Sequence, residues 1–350
     1  MASTAVWQVP PWYISGIPSV HPRATIGISR ILRDCRKSCR KNQRLIAHSS
    51  IGNRYYRGRA KLSTVARLRS LSSLRRRMMS EDAEVTISYL ILCHDSPDRI
   101  VRLVTRILSD DETGQVIIHF DKNSSRAKFN ELKARLHGSS RCHILENRVR
   151  CGWGQWSLVE SSLLMLKYSL DNIGSEYNYL VSEVCYPLTK LDSLKKHLSS
   201  NRGADFIESE DCTWIKGGIT HDRYLYRHFF NKNNYPRLHK YSYLIQKKLS
   251  IKKNIPQELN VRFGSQWWCL TKETCGFVLE NRDKYLSLFK YSWIPDECFF
   301  QTLVNLQNRT LLHSLTYYEF DKNGKPKIYK HLPVQLVKKH YFFIRKYSNE

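Results

Sequence analysis

The sequence predicts an α/β protein: a mostly parallel sheet with helices on both faces. Three observations predict it. Apolar strand-like runs and amphipathic helical stripes alternate four times between residues 85 and 208, the order that a parallel sheet with crossover helices requires. The strand runs end on polar tips, His94-Asp95, Asp121-Lys122 and Ser182-Glu183, and ligands of such sheets bind beyond the carboxyl ends of the strands. The composition, 41% hydrophobic and 12% aromatic over 350 residues, suits one large core.

Residues 1–79 stand outside this pattern. They hold 17 Lys or Arg against one acid, Asp34, and no sustained apolar period. Few acids with many Arg and Ser is also the composition of an organelle transit peptide. Met78 and Met79 directly precede the first folded-looking run, so the expectation is a disordered basic tail or a start placed too early, dispensable for folding. The charge balance follows from this division. The whole chain is at +26, but residues 80–350 carry 40 Lys or Arg and 30 acids. A nucleic-acid-binding protein is the competing class that the charge suggests. Most of the excess lies in the tail, which lacks the aromatic interleaving of a stacking platform.

From 80 onward a single domain is expected, with 80–210 as a nucleotide-binding half and 211–350 as an acceptor and catalytic half. Val85–Cys93 is a buried-strand run. Ser96 and Pro97 then cap and open a helix whose stripe is Ile100, Leu103, Val104 and Ile107. Gln115–Phe120 is a second strand, Ala127–Leu136 a weaker helix and Cys142–Leu145 a short third strand. The turn Gly152-Trp153-Gly154-Gln155-Trp156-Ser157 leads into a helix with Val159, Leu163, Leu166 and Leu170 on one face, ended by Gly174. Tyr177–Ser182 reads as strand, Leu191–Leu198 as helix and Ala204–Glu208 as strand. Residues 221–253 are aromatic and basic, either a sugar- or anion-facing surface or a solvated helix. Gly264–Leu270 is a turn into a strand, and Leu311–Phe320 reads as strand.

Several classes are excluded or disfavoured. Neither G-x-G-x-x-G after the first strand nor G-x-x-x-x-G-K-[ST] occurs, so the two commonest phosphate loops are absent. The ten cysteines form no C-x-x-C pair, which argues against a zinc ribbon or thioredoxin motif. No apolar run of transmembrane length and no secretory signal is visible, and the thiols read as reduced; the expectation is a cytoplasmic protein, with peripheral membrane association left open.

One stretch carries chemistry. In Trp293-Ile294-Pro295-Asp296-Glu297-Cys298, a proline and two acids open an otherwise apolar helical run. Carboxylates in a helix's first turn are favoured by the free N–H groups and stay ionised. Alone, the pair reads as a cap. An ionised carboxylate can also accept a proton.

The blocks taken together resemble the core-2/I-branching glycosyltransferase family (glycosyltransferase family 14), over roughly residues 86–348. His119-Phe120-Asp121-Lys122-Asn123-Ser124 is similar to its H-x-D-x-x-S block, and Trp153–Val159 to its W-G-x-x-S-x-V block. Leu180–Leu188 resembles its "LSG-x-D-x-P" strand end. Gly264–Trp268 is similar to G-S-x-W-W, Pro295-Asp296-Glu297 to P-D-E, and Phe343–Tyr347 to the terminal F-A-R-K-F. Six blocks in the right order are specific where one is not. The sequence departs at Cys185-Tyr186-Pro187, where the family has D-x-P, and Glu183 stands where the family has glycine.

The resemblance implies a GT-A-like variant with a Rossmann-like N-terminal half. It implies inverting transfer of a sugar, GlcNAc or xylose, from a UDP-sugar to a hydroxyl of a glycan, peptide or lipid-linked acceptor. Glu297 is the implied general base. His94, His119, Asp121, Ser182, Arg345 and Lys346 are the implied donor-binding residues, Lys346 above all for the diphosphate. Trp153, Trp156, Trp267 and Trp268 are candidates for stacking on a sugar, with Trp267 and Trp268 expected to point opposite ways along a strand. No D-x-D triplet occurs anywhere, so the expected enzyme has no metal and no other cofactor. Animal members of the family lie in secretory membranes, which is the alternative location. A glycan-binding module without catalysis is the third reading.

Overall fold

The computed structural model describes residues 84–215, 219–321 and 325–348. The expectations for residues 1–79 fall outside the described residues. Two sheets form. The larger has seven strands in the order β3-β2-β1-β4-β7-β6-β8: β1 Ile87–Cys93, β2 Gln115–Phe120, β3 Cys142–Ile144, β4 Tyr177–Ser182, β6 Asp205–Phe206, β7 Cys269–Thr271 and β8 Leu311–Leu312. Strands β3, β2, β1 and β4 run parallel, β7 is antiparallel to β4 and β6, and β8 is parallel to β6. The α/β, mostly parallel expectation therefore holds. Strands from residues 211–350 complete the sheet begun by 80–210, so both halves share one sheet.

Strands β1, β2 and β4 are buried on both faces, and their alternate residues feed two cores. Tyr89 and Ile91 face one core with α1 (Pro97–Asp110), α2 (Arg126–Leu136) and α4 (Asp192–Ser200). Leu90 and Leu92 face the other with α3 (Ser157–Asn172), α7 (Lys272–Phe289) and α8 (Phe299–Asn305). A fully buried Leu, Ile or Val contributes about 1.5–3 kcal/mol. The first helix forms as its sequence says. The Ser96 side chain accepts from Arg99 N, Pro97 opens the turn, and Ile100, Leu103, Val104 and Ile107 are buried. Gly174 ends the third helical segment at φ +78, and its N–H donates to the Ser169 carbonyl at 2.8 Å. A left-handed residue there is cheapest as glycine.

The smaller sheet has the order β5-β10-β9: β5 Cys185–Pro187, β10 Phe343–Arg345 and β9 Thr316–Tyr318. Its middle strand pairs antiparallel with β5 and parallel with β9, placing Arg345 opposite Cys185 and Tyr318. Phe343 packs on Tyr179 and Tyr89 with ring centroids 5.0 and 6.2 Å apart. The Tyr179 hydroxyl lies 2.9 Å from the Thr316 hydroxyl. These contacts dock the small sheet onto the first core.

Three expectations change. Leu311–Phe320 is not one strand. Leu311–Leu312 joins the large sheet and Thr316–Tyr318 the small one, and the chain crosses between them where Ser314 Oγ donates to the Trp267 carbonyl at 2.9 Å. The strand at Ala204–Glu208 is only Asp205–Phe206. Pro295–Glu297 is a separate 3₁₀ turn, broken from α8 by Cys298 at φ −143. Asp296 and Glu297 are therefore not in the first turn of an α-helix.

Candidate active site

The reversal of strand order between β1 and β4 opens a crevice at their carboxyl ends, the switch point of such sheets. A cavity of about 150 Å³ lies there, and it is lined by residues from both ends of the described chain. His94, His119, Asp121, Ser182 and Glu183 come from the strand tips; Asp296, Glu297, Trp267, Arg345 and Lys346 come from beyond residue 264. Trp153 also lines it. Trp156 and Trp268 do not. Trp156 packs edge-on to Phe299 at 5.1 Å, and Trp268 is fully buried against Phe300 at 4.8 Å. Both are core side chains, which corrects the expectation that they stack on a sugar. The neighbours do point apart, although both precede β7 and lie in no strand: Trp267 lines the cavity and Trp268 the second core.

The strand-tip wall is tied together by hydrogen bonds. Glu183 is buried; its Oε2 accepts from the backbone N–H groups of His94 and Asp95 at 2.9 and 3.1 Å, and its Oε1 lies 3.0 Å from His94 Nδ1. Burial alone would lower the His94 imidazole. The hydrogen bond and charge of Glu183 outweigh it and raise the group above its ordinary value. His119 is different. It accepts from Val149 N at Nε2, 2.9 Å, and burial drives it down to about 4, so the ring is neutral at pH 7. Asp121 Oδ1 accepts from Asn123 N at 2.8 Å and Cys151 N at 3.1 Å. His119 and Asp121 therefore hold the segment 149–151 across the end of β2. Ser182 Oγ is 3.3 Å from Cys185 Sγ.

The opposite wall holds Asp296, Glu297 and Arg345. Gly264 makes it possible. Its N–H donates to the Glu297 carbonyl at 3.0 Å, and a Cβ on it would lie 2.1 Å from the Glu208 carbonyl oxygen. Only glycine fits that approach. Glu208 in turn accepts from Ser265 N at 2.8 Å and from the Tyr318 hydroxyl at 2.9 Å. Ile294 has φ +52, a left-handed conformation rare for a β-branched residue, and its N–H donates to the Gly154 carbonyl at 3.2 Å. This bond ties the Trp153–Ser157 turn to the Pro295-Asp296-Glu297 turn.

Arg223 Nη1 donates to Glu297 Oε2 at 2.8 Å, with the two side chains 10% and 19% exposed. Burial raises Glu297 above the usual carboxylate range, and Arg223 opposes that rise. Asp296 is pushed up to about 7 by burial first and by the Glu297 charge second, and its Oδ1 has no hydrogen-bond partner. The expectation of carboxylates held fully ionised by a helix terminus is thus overturned: there is no helix terminus at this point, and desolvation dominates. In the same cavity the Arg345 guanidinium lies over the Trp267 ring at 5.1 Å, and its Nε has no hydrogen-bond partner. Burial, then the Arg345 charge, lowers Lys346. Among the described residues no group of three or more His, Cys, Asp or Glu is arranged to hold a metal ion.

Sequence reasoning passed over Arg223 and Glu183 as site residues. The signal for Glu183 was its place at a strand tip beside Ser182. Arg223 had only its place in the basic, aromatic stretch, because its partner is 74 residues away.

Two carboxylates and two cations thus line one cavity at the switch point of an α/β sheet. The core-2/I-branching enzyme family model matches residues 87–342, and the chain belongs to that family. It is 26% identical over 239 residues to xylosyltransferase 2 of Rattus norvegicus, covering 66% of this chain and 26% of that one. It is 22% identical over 226 residues to a xylosyltransferase of Ciona intestinalis, covering 63% and 25%. The chain thus spans about a quarter of the length of these curated relatives. Among solved structures, the mannosyltransferase PcManGT of Pyrobaculum calidifontis is similar with a TM-score of 0.35 at 10% identity, over 67% of this chain and 55% of that one.

Proposed function

We propose that the protein is an inverting glycosyltransferase that moves a sugar, xylose or GlcNAc, from a UDP-sugar to a hydroxyl of a glycan, peptide or lipid-linked acceptor. The observation that carries this reading is the meeting of Glu297 with Arg345 and Lys346 in one cavity. An acceptor hydroxyl needs a base as it attacks the anomeric carbon. The departing diphosphate needs fixed positive charge. Glu297 is the proposed base. Its raised pKa strengthens it as a proton acceptor, and Arg223 orients it. Arg345 and Lys346 are the proposed diphosphate partners, supported by a Trp267 platform that leaves the Arg345 Nε unpaired. Two cations at that place are the reason for proposing that transfer needs no metal. Trp153 and Trp267 are the proposed sugar-facing aromatics. His94 and Ser182, at the tips of β1 and β4, are proposed to face the nucleotide.

A second reading has an observation behind it. Asp296, with an unpaired Oδ1 and a pKa of about 7, would itself serve as a base near neutral pH. The two readings differ in which single amide substitution stops turnover.

The test is a UDP-release screen over UDP-sugars with candidate acceptors, with and without EDTA. Release from one UDP-sugar that survives chelation is expected. Release that stops with EDTA and returns with Mn²⁺ or Mg²⁺ overturns the metal-free reading, and sugar binding without any UDP release overturns catalysis. A cytoplasmic location is proposed on the thiols: the eight cysteines among the described residues are all free. Among the described residues no helix is long and apolar enough to cross a membrane. Cell fractionation tests the location, and recovery in secretory membranes overturns it.

A further inference from the structure

Nine of the twelve large apolar side chains exposed among the described residues fall within 229–251. Helix α6 (Pro236–Lys248, the α5 before it being Asp222–Leu225) carries four of them, Leu238, Tyr241, Leu244 and Ile245, and the others flank it. Its inner side is held. Gln246 is buried and exchanges two hydrogen bonds with the Arg227 backbone, at 3.0 and 2.8 Å, and the His239 ring packs on Trp293 at 4.1 Å. Its outer side repeats apolar residues at helical spacing: Leu238, Tyr241 and Ile245, continued by Leu249, are 50%, 58%, 58% and 62% exposed. Leu244 widens the stripe. Globular helices bury such a stripe. Here it faces outward.

The charge around the stripe indicates what would cover it. Residues 223–257 contain nine Lys or Arg and no Asp or Glu. Arg237, Lys240, Lys248 and Lys252 are exposed beside the stripe. Lys253 is buried and bonded to the Leu288 carbonyl, and Lys247 is paired with Asp222. A second copy of the same face would bring these cations against each other. Single-stranded nucleic acid would use several aromatic platforms, whereas in the stripe only Tyr241 is aromatic and Leu238, Leu244, Ile245 and Leu249 are aliphatic. Aliphatic side chains flanked by cations match an anionic bilayer surface, where the apolar stripe enters the acyl boundary and the cations meet headgroups.

We propose that the outer face of α6, with Leu249, docks on an anionic lipid surface. The face lies behind the cavity wall: Asn231 Nδ2 donates to the Trp153 carbonyl at 3.3 Å, and the Trp153 and Trp293 rings are 6.1 Å apart. Docking sets the Trp153 side of the cavity close to the headgroups. Delivery of a lipid-linked acceptor there rests on the transferase reading; lipid binding does not, so either can fail alone.

The full chain is mixed with phosphatidylcholine vesicles, with and without an equal part of phosphatidylglycerol. The basic residues 1–79 can hold a full chain on anionic vesicles by charge, so the readout must sit on the helix. Tyr241→Trp places an indole on the stripe, and vesicles with brominated acyl chains quench it only on insertion. Quenching is expected on the anionic vesicles. Leu238→Glu with Ile245→Glu in the same Trp variant is expected to lower the quenched fraction on the order of tenfold or more, with an unchanged melting temperature because both sites are exposed. Vesicle retention without quenching, or quenching indifferent to the double substitution, overturns the proposal. So does a dimer that the double substitution dissolves, or single-stranded RNA binding that it abolishes while vesicle binding persists.

Discussion

The strand-tip wall of the cavity and the wall facing it are built by different means. The first comes from long, regular strands, and its polar groups are largely spent on the protein itself. Glu183 holds the backbone after β1, while His119 and Asp121 pin residues 149–151. The second comes from a 3₁₀ turn, a left-handed isoleucine, a glycine pressed on a carbonyl and a three-residue strand. It keeps an unpaired carboxylate oxygen on Asp296 and an unpaired Nε on Arg345. On the first wall the His119 Nδ1 has no partner, but most of its polar groups are used to position the chain. Irregular backbone, held by long-range contacts, leaves polar groups free to act on something else.

The largest expected effect tests this division at its centre. Glu297→Gln keeps size and hydrogen bonding but loses proton acceptance, so kcat falls about 10²–10⁴-fold while the donor Kd barely moves. Steady-state rates and calorimetry measure both. Near wild-type kcat, with Asp296→Asn inactive instead, transfers the base to Asp296. Next, Lys346→Ala is expected to weaken UDP binding about tenfold or more, as loss of a charge-assisted contact does, with acceptor KM little changed. An equal loss for UDP and acceptor would remove the diphosphate assignment.

His119→Ala probes the other wall. The loss of the Val149 N–H acceptor costs about 1–3 kcal/mol in denaturant unfolding, with a smaller effect on kcat than on stability. A rate loss as large as that of Glu297→Gln would erase the distinction between the walls. The smallest effect sharpens it. The folded state raises the Asp296 carboxyl to about 7 from an ordinary 3.8, so it binds that proton more tightly than the unfolded chain. The group favours folding below the ordinary carboxylate range, and the advantage disappears as pH rises through about 7. Asp296→Asn is therefore expected to raise the melting temperature at about pH 8 and to change it less at about pH 5. A gain independent of pH would show that the carboxyl is not buried as described.

The parallel core was legible because β1, α1, β2 and β4 each carry their own signal: a continuous apolar run, or a cap followed by a stripe. The strands β6, β8, β9 and β10 have two or three residues each. Pairing to distant segments defines them, and no local period can. The same holds at the site. The Pro295-Asp296-Glu297 and Phe343–Tyr347 blocks were visible as blocks, but not that one would end as a detached 3₁₀ turn and the other as the middle strand of a small sheet. The raised carboxylates were misjudged for that reason: the local pattern gave a helix terminus, and burial is a property of the assembled wall. Trp156 and Trp268 were misplaced because a tryptophan beside a cavity motif and one in a core look alike along the chain.

The small sheet has its central strand last in chain order: β10 enters between β5 and β9, which are made earlier. Until residues 343–345 leave the ribosome, neither flanking strand has its partner, and two sheet edges stand open. Arg345 arrives in the same step that closes them, with Lys346 beside it. A nascent chain thus has every strand of its parallel core before it has its cation pair or the Phe343 that packs on Tyr89 and Tyr179. A chain stalled before β10 would carry those strands but neither Arg345 nor Lys346.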